Sequence, residues 1–372
     1  MTAQKNATRD VDLELVAAPP AESIPAVGSL ERLPKWLNLI PMIVQWLWLS
    51  LRYRSLTLPS AANPGITAGG MAGEGKSEYF RIMGPLARSH TSDFAFLRNT
   101  RSATIVQEAE RTMQEAELHY PLILKPDIGW CGFGVRIVRN RDELRFYLAS
   151  YPEGQDIILQ RFVTYEGEAG LYYIRNPSET RGRIRGILLR HFPRVVGDGR
   201  STIAELIART PRLCRLGRDG LSEPCCDTSR VPAAGELVRV TVTGSTRVGG
   251  LYQDATDMVT PQLEEAIDRI AADMPGLHVA RFDVRYESLG AMQAGRAFQI
   301  IEVNGAGSEA VHAWDPRYTL AQAYGIVFEK QRTLFAIGAS MRARGHGPVG
   351  IIALARLFLH QALLIRSYPP SN

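Results

Sequence analysis

Residues 280–304, ARFDVRYESLGAMQAGRAFQIIEVN, form the stretch of the sequence that decides the fold. Its two ends, ARFDVRY and AFQIIEVN, have the pattern of strands, and they predict a hairpin with a long tip at residues 287–296. Side chains alternate along a strand, so Glu302 and Asn304 share one face. Asp283 lies on the neighbouring strand, so the three side chains can converge. Two carboxylates with an amide suit Mg²⁺ that bridges nucleotide phosphates.

A lysine and a glycine-rich loop upstream fit the same chemistry. Lys125 ends the apolar strand LILKP, and the loop after it contains three glycines, Gly129, Gly132 and Gly134. A lysine on a strand beside a mobile glycine-rich loop can neutralise and cover phosphate oxygens. Arg281, two residues before the aspartate of ARFDV, points to the same face as that aspartate. It can stabilise charge on a transferring phosphoryl group.

Strands and helices are mixed along the rest of the chain. Strand-like segments from residue 122 onward are grouped in hairpins rather than in strict β-α-β units. Short strands are also predicted at residues 94–97 and 104–106. Helices are predicted at residues 106–118, 142–150, 202–209 and 261–274. This mixture predicts the α+β class.

Composition limits the class of protein. The chain has 372 residues, 45% hydrophobic and 22% charged, which is the balance of a soluble globular protein. Its net charge of +5 is too small to indicate nucleic acid as a partner. The cysteines lack the spacing of a disulfide framework or a zinc site, and no secretory signal opens the chain. We therefore expect a cytoplasmic protein.

Five segments resemble a known superfamily: LKPDIGWCGFGV, ILQRFVTYEGE, HFPRVVGDGRST, ARFDV and EVNGAGSEA. They resemble the ATP-grasp superfamily and, within it, the D-alanine–D-alanine ligase-like carboxylate–amine ligases. The resemblance covers residues 107–324. It implies an ATP-grasp domain, two α+β lobes that grip ATP, at residues 107–335. Around it we expect a disordered leader (1–30), a helical and loop region (31–106) and a helical tail (336–372).

The resemblance implies roles for the residues already named. Lys125 would contact the nucleotide phosphates, and Arg281 would stabilise the charge of the transferring phosphoryl group. The glycine-rich loop at residues 129–134 would close over the phosphates. Two Mg²⁺ ions are implied, for which Mn²⁺ could substitute. The implied metal ligands are Asp283, Glu302 and Asn304.

The base and the ribose of ATP would lie at the hinge between the lobes. Glu168 is the expected ribose-binding acid, with Glu166 as the neighbouring alternative. His191, in LLRHFP, either donates to a phosphate or to a substrate carboxylate, or is a packed residue. The hinge residues that would contact adenine are Gln160, Arg161, Phe162 and Val163.

The implied activity is ATP-dependent ligation of a carboxylate to an amine. The carboxylate would attack the γ-phosphate to give an acylphosphate and ADP, and the amine would then displace phosphate. We expect amino-acid-like substrates, because a basic set on adjacent strand-like segments would guide an anionic carboxylate and ATP to the site. A solvated sheet face is the alternative for that set. Its members are Arg175, Arg183, Arg185, Arg190 and Arg194.

The sequence departs from the family pattern at several places, two of which bear on the ligands. Gln160 and Arg161 stand where the hinge often carries a glutamate. GAGSEA follows Asn304 in place of the Ser-Pro-Gly turn of the dipeptide ligases, so alanine dipeptides are not implied. We expect the acceptor site in loops at residues 53–75, 214–234 and 305–314. A nucleotide-binding protein of this fold without turnover stays as the alternative function.

A second nucleotide motif occurs upstream. Residues 70–77, GMAGEGKS, match the P-loop pattern G-x-x-x-x-G-K-[ST], in which Lys76 and Ser77 would bind phosphate and Mg²⁺. A P-loop follows a buried strand, whereas the preceding PSAANPGITAG contains two prolines and no apolar run. We expect a flexible glycine-rich loop that leads into a helix near Lys76. A wall of a substrate site, and a P-loop ATPase or kinase, are the alternatives.

Two apolar stretches raise the question of a membrane. Residues 37–51 are uncharged, and residues 349–365 are interrupted by Arg356, His360 and Gln361. Both are shorter than the roughly 20 residues that cross a bilayer. We expect buried helices that pack on the body, on each other or across a homodimer. A peripheral membrane contact, which tryptophans with nearby arginines would suit, is the alternative.

Overall fold

The computed structural model describes residues 27–213, 216 and 220–372. Residues 1–26 of the predicted leader lie outside this range, and so do five positions of the predicted acceptor loop, 214, 215 and 217–219. Leu30, at the end of the predicted leader, is buried in a short helix that begins at Ser29.

Three antiparallel sheets are present in the described residues. The first contains β1 (Phe94–Arg98), β2 (Leu122–Pro126), β3 (Arg136–Val138) and β4 (Asp156–Arg161), in the spatial order β1-β4-β2-β3. The second contains β5 (Gly167–Ile174), β6 (Arg183–His191), β9 (Leu251–Asp254), β10 (Val279–Tyr286) and β11 (Phe298–Asn304), in the order β11-β10-β5-β6-β9. The third pairs β7 (Arg194–Val196) with β8 (Leu237–Arg239).

Helices flank these sheets, and the mixture confirms the predicted α+β class. The described α-helices are α1 (Ser29–Arg32), α2 (Lys35–Tyr53), α3 (Lys76–Arg81), α4 (Pro85–Ser89), α5 (Ile105–Glu115), α6 (Arg141–Ser150), α7 (Ile203–Arg209), α8 (Pro261–Ala272), α9 (Leu289–Gln293), α10 (Leu320–Ala343) and α11 (Ile351–Ser367).

One predicted element differs from the structure. The strand predicted at residues 104–106 is wrong, because α5 begins there. Ile105, Ala109 and Met113 recur every four residues and are all buried, so the segment buries its apolar side chains as a helix. The predicted long tip of the hairpin between β10 and β11 contains a short helix, α9.

Alternation along β10 separates the hydrophobic core from a polar face. Phe282 and Val284 are fully buried in the core between the five-stranded sheet and α8. Arg281, Asp283 and Arg285 alternate with them and therefore point to the opposite face. The strand thus carries three charged side chains to one side of the sheet.

The four-stranded sheet has a core of its own. Leu122, Leu124 and Leu159 pack with α5 and α6 on one face. Lys125 and Gln160 follow these leucines in the chain, so their side chains lie on the other face. The polar faces of the two sheets meet, because Lys125 Nζ reaches the backbone carbonyl of Ile301 in β11.

The two apolar stretches form α2 and α11, and the expectation that these helices are buried is wrong for one face of each. Trp36 on α2 is 67% exposed, and Ile352 on α11 is 71% exposed. The other side of α2 packs on α10, and the end of α11 packs on the core of the four-stranded sheet. None of the described helices has both the length and the apolar character needed to cross a bilayer.

Candidate functional site

Asp283 lies at the centre of a buried charge cluster on the polar face of the five-stranded sheet. Its Oδ1 accepts from Arg281 Nε at 2.8 Å and from Arg190 Nη2 at 3.1 Å. Asn304 Nδ2 donates to Asp283 Oδ2 at 3.1 Å. Burial opposes ionisation of this carboxyl, but the guanidinium groups of Arg190 and Arg281 hold the pKa of Asp283 below its ordinary value. The carboxylate is therefore charged and fixed in place.

Glu168 is joined to this cluster through a shared arginine. Arg190 lies opposite Glu168 in the pairing of β5 with β6, and its Nη1 donates to Glu168 Oε1 at 2.8 Å. On the other side, Arg285 Nε is 3.1 Å from Glu168 Oε2. Both the proposed ribose acid and the proposed metal ligand Asp283 thus share one cation. Glu166, the alternative acid, instead pairs with Arg194, whose Nη2 donates to its Oε2 at 2.8 Å.

Glu302 and Lys125 connect the two sheets. Glu302 lies directly opposite Asp283 in the pairing of β10 with β11. Lys125, from the four-stranded sheet, donates to the carbonyl of Ile301 at 2.6 Å. Burial lowers the pKa of Lys125 to about 8, even though the nearby Glu302 carboxylate acts in the opposite direction. The predicted phosphate lysine and the predicted metal ligands are therefore brought together.

Lys76, from the motif GMAGEGKS, enters the same site. Its Nζ lies 3.5 Å from Glu302 Oε1 and donates to the carbonyl of Asp127 at 3.3 Å. A Cβ atom placed on Gly129 would lie 2.6 Å from that Nζ, so the ammonium group lies close against the backbone of the glycine-rich loop. The sequence raised this segment as a wall of a substrate site, and the contact of Lys76 with Glu302 supports that alternative.

The same segment does not have the geometry of a P-loop. It follows short 3₁₀ helices at Leu58–Ala61 and Thr67–Gly70, not a buried strand. The amide and hydroxyl of Ser77 both donate to the Asp127 carboxylate, at 2.7 and 2.9 Å. The groups that would bind phosphate and metal in a P-loop are thus occupied by an aspartate of the chain itself.

The hinge residues have mixed surroundings. The amide of Arg161 donates to the carbonyl of Asp93 at 2.8 Å, and its carbonyl accepts from Ser92 Oγ at 3.0 Å. Gln160 is 2% exposed, and its Nε2 has no hydrogen-bond partner among the described residues. This buried donor lies on the same face as Lys125. Leaving a buried amide N–H without an acceptor costs free energy, and a bound ligand that accepts from it would recover that cost. Of the other hinge residues, Phe162 is partly buried and Val163 is largely buried.

His191 is not part of the cluster. Its Nε2 lies 2.8 Å from Gln253 Oε1, on the neighbouring strand β9. Because side chains alternate, His191 points away from the face that carries Arg190. Burial lowers the pKa of His191, so the ring is neutral near pH 7. The structure therefore fits the packed alternative for this histidine.

Five basic side chains lie in or beside the cluster, together with acidic ones. The cations are Lys76, Lys125, Arg190, Arg281 and Arg285, and the anions are Glu74, Glu78, Glu168, Asp283 and Glu302. Basic side chains grouped at a buried site attract a ligand with several negative charges. Of the cations, Arg285 and Lys76 were not assigned to the site from the sequence. The alternation along ARFDVRY, which places residues 281, 283 and 285 on one face, was the signal that could have found Arg285.

The donor set fits a hard cation chemically. Asp283, Glu302 and Asn304 offer carboxylate and amide oxygens, the ligands that Mg²⁺ prefers. Asn304 is within hydrogen-bond distance of Asp283, and Glu302 pairs with Asp283 across the strands. The described residues contain no group of three or more histidine, cysteine, aspartate or glutamate side chains with metal-binding geometry. The set is thus one of two carboxylates and one amide.

A cavity of about 440 Å³ adjoins the cluster. Tyr172, on its wall, lies opposite Arg281 in the pairing of β5 with β10. The Tyr172 hydroxyl is buried and has no hydrogen-bond partner among the described residues. Lys330 of α10 also lines the cavity, and burial lowers its pKa to about 7. The wall further contains exposed arginines of the basic set predicted on β6, Arg183 and Arg185.

The comparisons with known proteins agree with the predicted superfamily. No family model matches the chain. The cyanophycin synthetase of Synechocystis sp. is 26% identical over 216 residues, which are 52% of this chain and 24% of that protein. The cyanophycin synthetase of Geminocystis herdmanii is 28% identical over 213 residues, again 52% of this chain and 24% of that protein. The chain spans about a quarter of the length of these relatives.

The chain also aligns in part with two solved structures. The D-alanine–D-alanine ligase from Bacillus anthracis aligns over 76% of this chain and 72% of its own, with 14% identity and a TM-score of 0.41. A bifunctional glutathione synthetase from Pasteurella multocida aligns over 68% of this chain and 36% of its own, with 17% identity and a TM-score of 0.35.

The similarity in sequence to the cyanophycin synthetases, over about half of this chain, agrees with the resemblance to the ATP-grasp superfamily. The α+β architecture with antiparallel sheets has the fold class that the superfamily implies.

Removing the shared arginine tests the energetics of the cluster. We expect Arg190→Ala to lower the free energy of unfolding by about 3 kcal/mol, because two buried carboxylates each lose a partner. The matched control is Arg98→Ala, which removes an exposed ion pair with Asp156 of 3.3 Å and should cost less than about 1 kcal/mol. Urea unfolding followed by circular dichroism measures both. Equal losses in the two variants would contradict a buried, tightly coupled cluster.

Proposed function

We propose that this chain is an ATP-dependent carboxylate–amine ligase that forms an amide or peptide bond through an acylphosphate. The observation that carries the proposal is the meeting of two lysines with the acidic end of the hairpin. Lys76 lies 3.5 Å from Glu302, and Lys125 donates to the adjacent Ile301 carbonyl at 2.6 Å. Cations from outside the five-stranded sheet thus converge on the edge that holds Asp283 and Glu302. The synthetase relatives support the same chemistry.

ATP would bind between the two sheets. The buried, unpaired Nε2 of Gln160 and the backbone of the hinge would contact the adenine, and Glu168 would contact the ribose. Lys125 and Lys76 would bind the phosphates, with the backbone amides of residues 129–134 above them. On binding, the ammonium groups exchange a carbonyl and a carboxylate of the protein for phosphate oxygens. These exchanges keep each buried cation paired.

Mg²⁺ is the expected cofactor, with Mn²⁺ as a substitute, and Asp283, Glu302 and Asn304 would hold it. When bound, the ion neutralises charge on the nucleotide phosphates. Both oxygens of Asp283 accept from Arg281, and one also accepts from Arg190. The guanidinium of Arg281 would therefore turn from Asp283 to the phosphoryl group when the ligands bind.

The proposed reaction has two steps. A carboxylate oxygen of the first substrate attacks the γ-phosphorus, the bond from that phosphorus to the bridging oxygen breaks, and ADP leaves. The amine of the second substrate then attacks the acyl carbon, loses a proton, and displaces inorganic phosphate. The protein contributes position and charge: Arg281 and Lys125 stabilise the transferring group. The glycine-rich loop would exclude the water that hydrolyses an acylphosphate.

The cavity beside Arg281 is the proposed site of an amino-acid-like substrate. Tyr172 lines the cavity and lies opposite Arg281, beside which the acyl group must react. Lys330 offers a positive charge to a carboxylate, and the buried hydroxyl of Tyr172 offers a free hydrogen-bonding group. Isoleucines at 174, 326 and 337 supply an apolar side to the same cavity. A small molecule with both a charged and an apolar part fits this lining.

The test of the proposed activity is ADP release from ATP and Mg²⁺ in the presence of pairs of carboxylates and amino acids. We expect release to need both substrates and to be matched by an amide product in the mass spectrum. Glu302→Gln should reduce kcat by at least about 100-fold, because it replaces a charged carboxylate ligand of the proposed metal site by a neutral amide. The unfolding curve of this variant should stay near that of the wild type. The Arg98→Ala variant serves as the active control.

Two results would sink the assignment. Turnover near the wild-type rate in Glu302→Gln would remove the proposed metal site. Binding of ATP by the wild type with no product from any pair would favour the alternative of a nucleotide-binding protein without turnover.

The role of Lys330 makes a pH-dependent prediction. Its pKa of about 7 means that the ammonium is charged below pH 7 and loses its proton above it. We therefore expect kcat/KM for the carboxylate that binds the cavity to fall as pH rises through about 7, because this ratio reports the free enzyme. Lys330→Met should lower kcat/KM about tenfold or more at pH 6 and remove the dependence.

Lys330→Arg is the matched control, since its guanidinium stays charged at all accessible pH values. It should keep the low-pH activity up to pH 8, and the KM for ATP should not change in either variant. An unaltered pH profile in Lys330→Met would show that Lys330 does not bind the substrate.

A further inference from the structure

Helix α2 turns its polar side chains toward the protein. Asn38 is buried, and its Nδ2 donates to the carbonyl of Leu30 at 2.7 Å. Gln45 Nε2 donates to the carbonyl of Phe328 in α10 at 2.8 Å. In a helix on the surface of a water-soluble domain, the polar side chains face solvent instead. The orientation of α2 is therefore inverted.

The outer face of α2 is apolar from one end to the other. Residues at helical spacing on this face are between 50% and 80% exposed, and the helix contains no acidic residue. Exposed apolar patches of this size mark a surface that is covered by something else. Members of this outer face are Trp36, Leu39, Ile43, Leu47, Trp48 and Leu51.

Helix α11 repeats the inverted arrangement. Gln361 faces the protein, where its Nε2 donates to the carbonyl of Gly129 at 3.0 Å and its Oε1 accepts from Gly73 N–H at 3.3 Å. Phe358 and Leu359 on the outside are 50% and 62% exposed. Two separate helices thus present apolar outer faces and keep their amides inside.

The charged residues within the two helices and the segments that flank them are of one sign. The sequence has no aspartate or glutamate between residues 32 and 73 or between 330 and 372, whereas Arg52, Arg54 and Arg356 lie in these segments and are exposed. The Arg52 guanidinium lies 5.6 Å from the centre of the Trp48 ring. A tryptophan near each end of the helix, with Arg52 beside the second one, is typical of helices at a lipid headgroup boundary.

We propose that α2, together with α11, docks this protein onto the surface of an anionic lipid bilayer. A second copy of the chain fits less well, because a twofold interface would place one arginine-bearing patch against its own copy. An anionic bilayer offers the opposite charge and an apolar layer beneath it. Because its apolar side chains lie on one face and its amides point to the protein, α2 would lie in the plane of the interface.

The experiment is co-sedimentation of the full chain with vesicles. Vesicles of phosphatidylcholine with phosphatidylserine are compared with vesicles of phosphatidylcholine alone, at low and high salt. We expect binding to the anionic vesicles, weakened by salt, and little binding to the others. The double variant with Ile43→Glu and Leu47→Glu should lower the binding constant about tenfold or more, because two apolar side chains leave the lipid.

The matched control is Val231→Glu, which places the same charge at an apolar residue that is 46% exposed outside both helices. It should bind vesicles as the wild type does. Because the α2 substitutions lie on an exposed face, thermal unfolding should be unchanged in all variants. Absence of vesicle binding by the wild type, or equal binding by the α2 variant, would overturn the proposal. The proposal would also be overturned if the wild type were a dimer in sedimentation velocity without lipid and the α2 variant were a monomer. That result would assign the apolar face to a second copy of the chain.

Discussion

The ion pairs of Arg190 with Glu168 and Asp283 are the interaction on which the site depends. These three side chains come from three neighbouring strands, and each is largely buried. A buried carboxylate without a partner costs several kcal/mol, so the strands must keep the register that pairs them. A slip of one residue would turn the charged face of β10 into the core. The same register places Glu302 opposite Asp283.

The two lysines explain how the sheets form one site. Lys125 crosses from the four-stranded sheet to the middle of β11, and Lys76 crosses from α3 to the next residue of that strand. Both ammonium groups are held by protein oxygens that a phosphate could replace. Gln361 adds a further connection, because one amide group joins the glycine-rich loop at Gly129 to the segment at Gly73. The glycine-rich segments are therefore held close to the charges that they would cover.

The sequence was most informative where local periodicity decides the structure. Alternation in ARFDVRY and QIIEVN predicted the convergence of Asp283, Glu302 and Asn304, and the structure places their backbones in that register. Contacts between distant segments were not predictable in this way. The pairing of Arg190 depends on which strands are neighbours. The position of Lys76 was not predicted, because its segment matches the P-loop pattern but lacks the strand that precedes a P-loop. The outward apolar faces of α2 and α11 depend on packing. Hydropathy alone does not predict which face of a helix packs on the protein.

The most direct test of the account is thermal stabilisation by ATP with Mg²⁺ in the wild type, Lys125→Ala, Lys76→Ala and Ser77→Ala. A ligand at about 100 times its dissociation constant adds about 2.7 kcal/mol of stability. The account predicts that the wild type and Ser77→Ala are stabilised, since the Ser77 hydroxyl is bound to Asp127, and that both lysine variants lose most of the shift. Full stabilisation of Lys125→Ala, together with its loss in Ser77→Ala, would contradict the central claim that ATP binds between the two sheets.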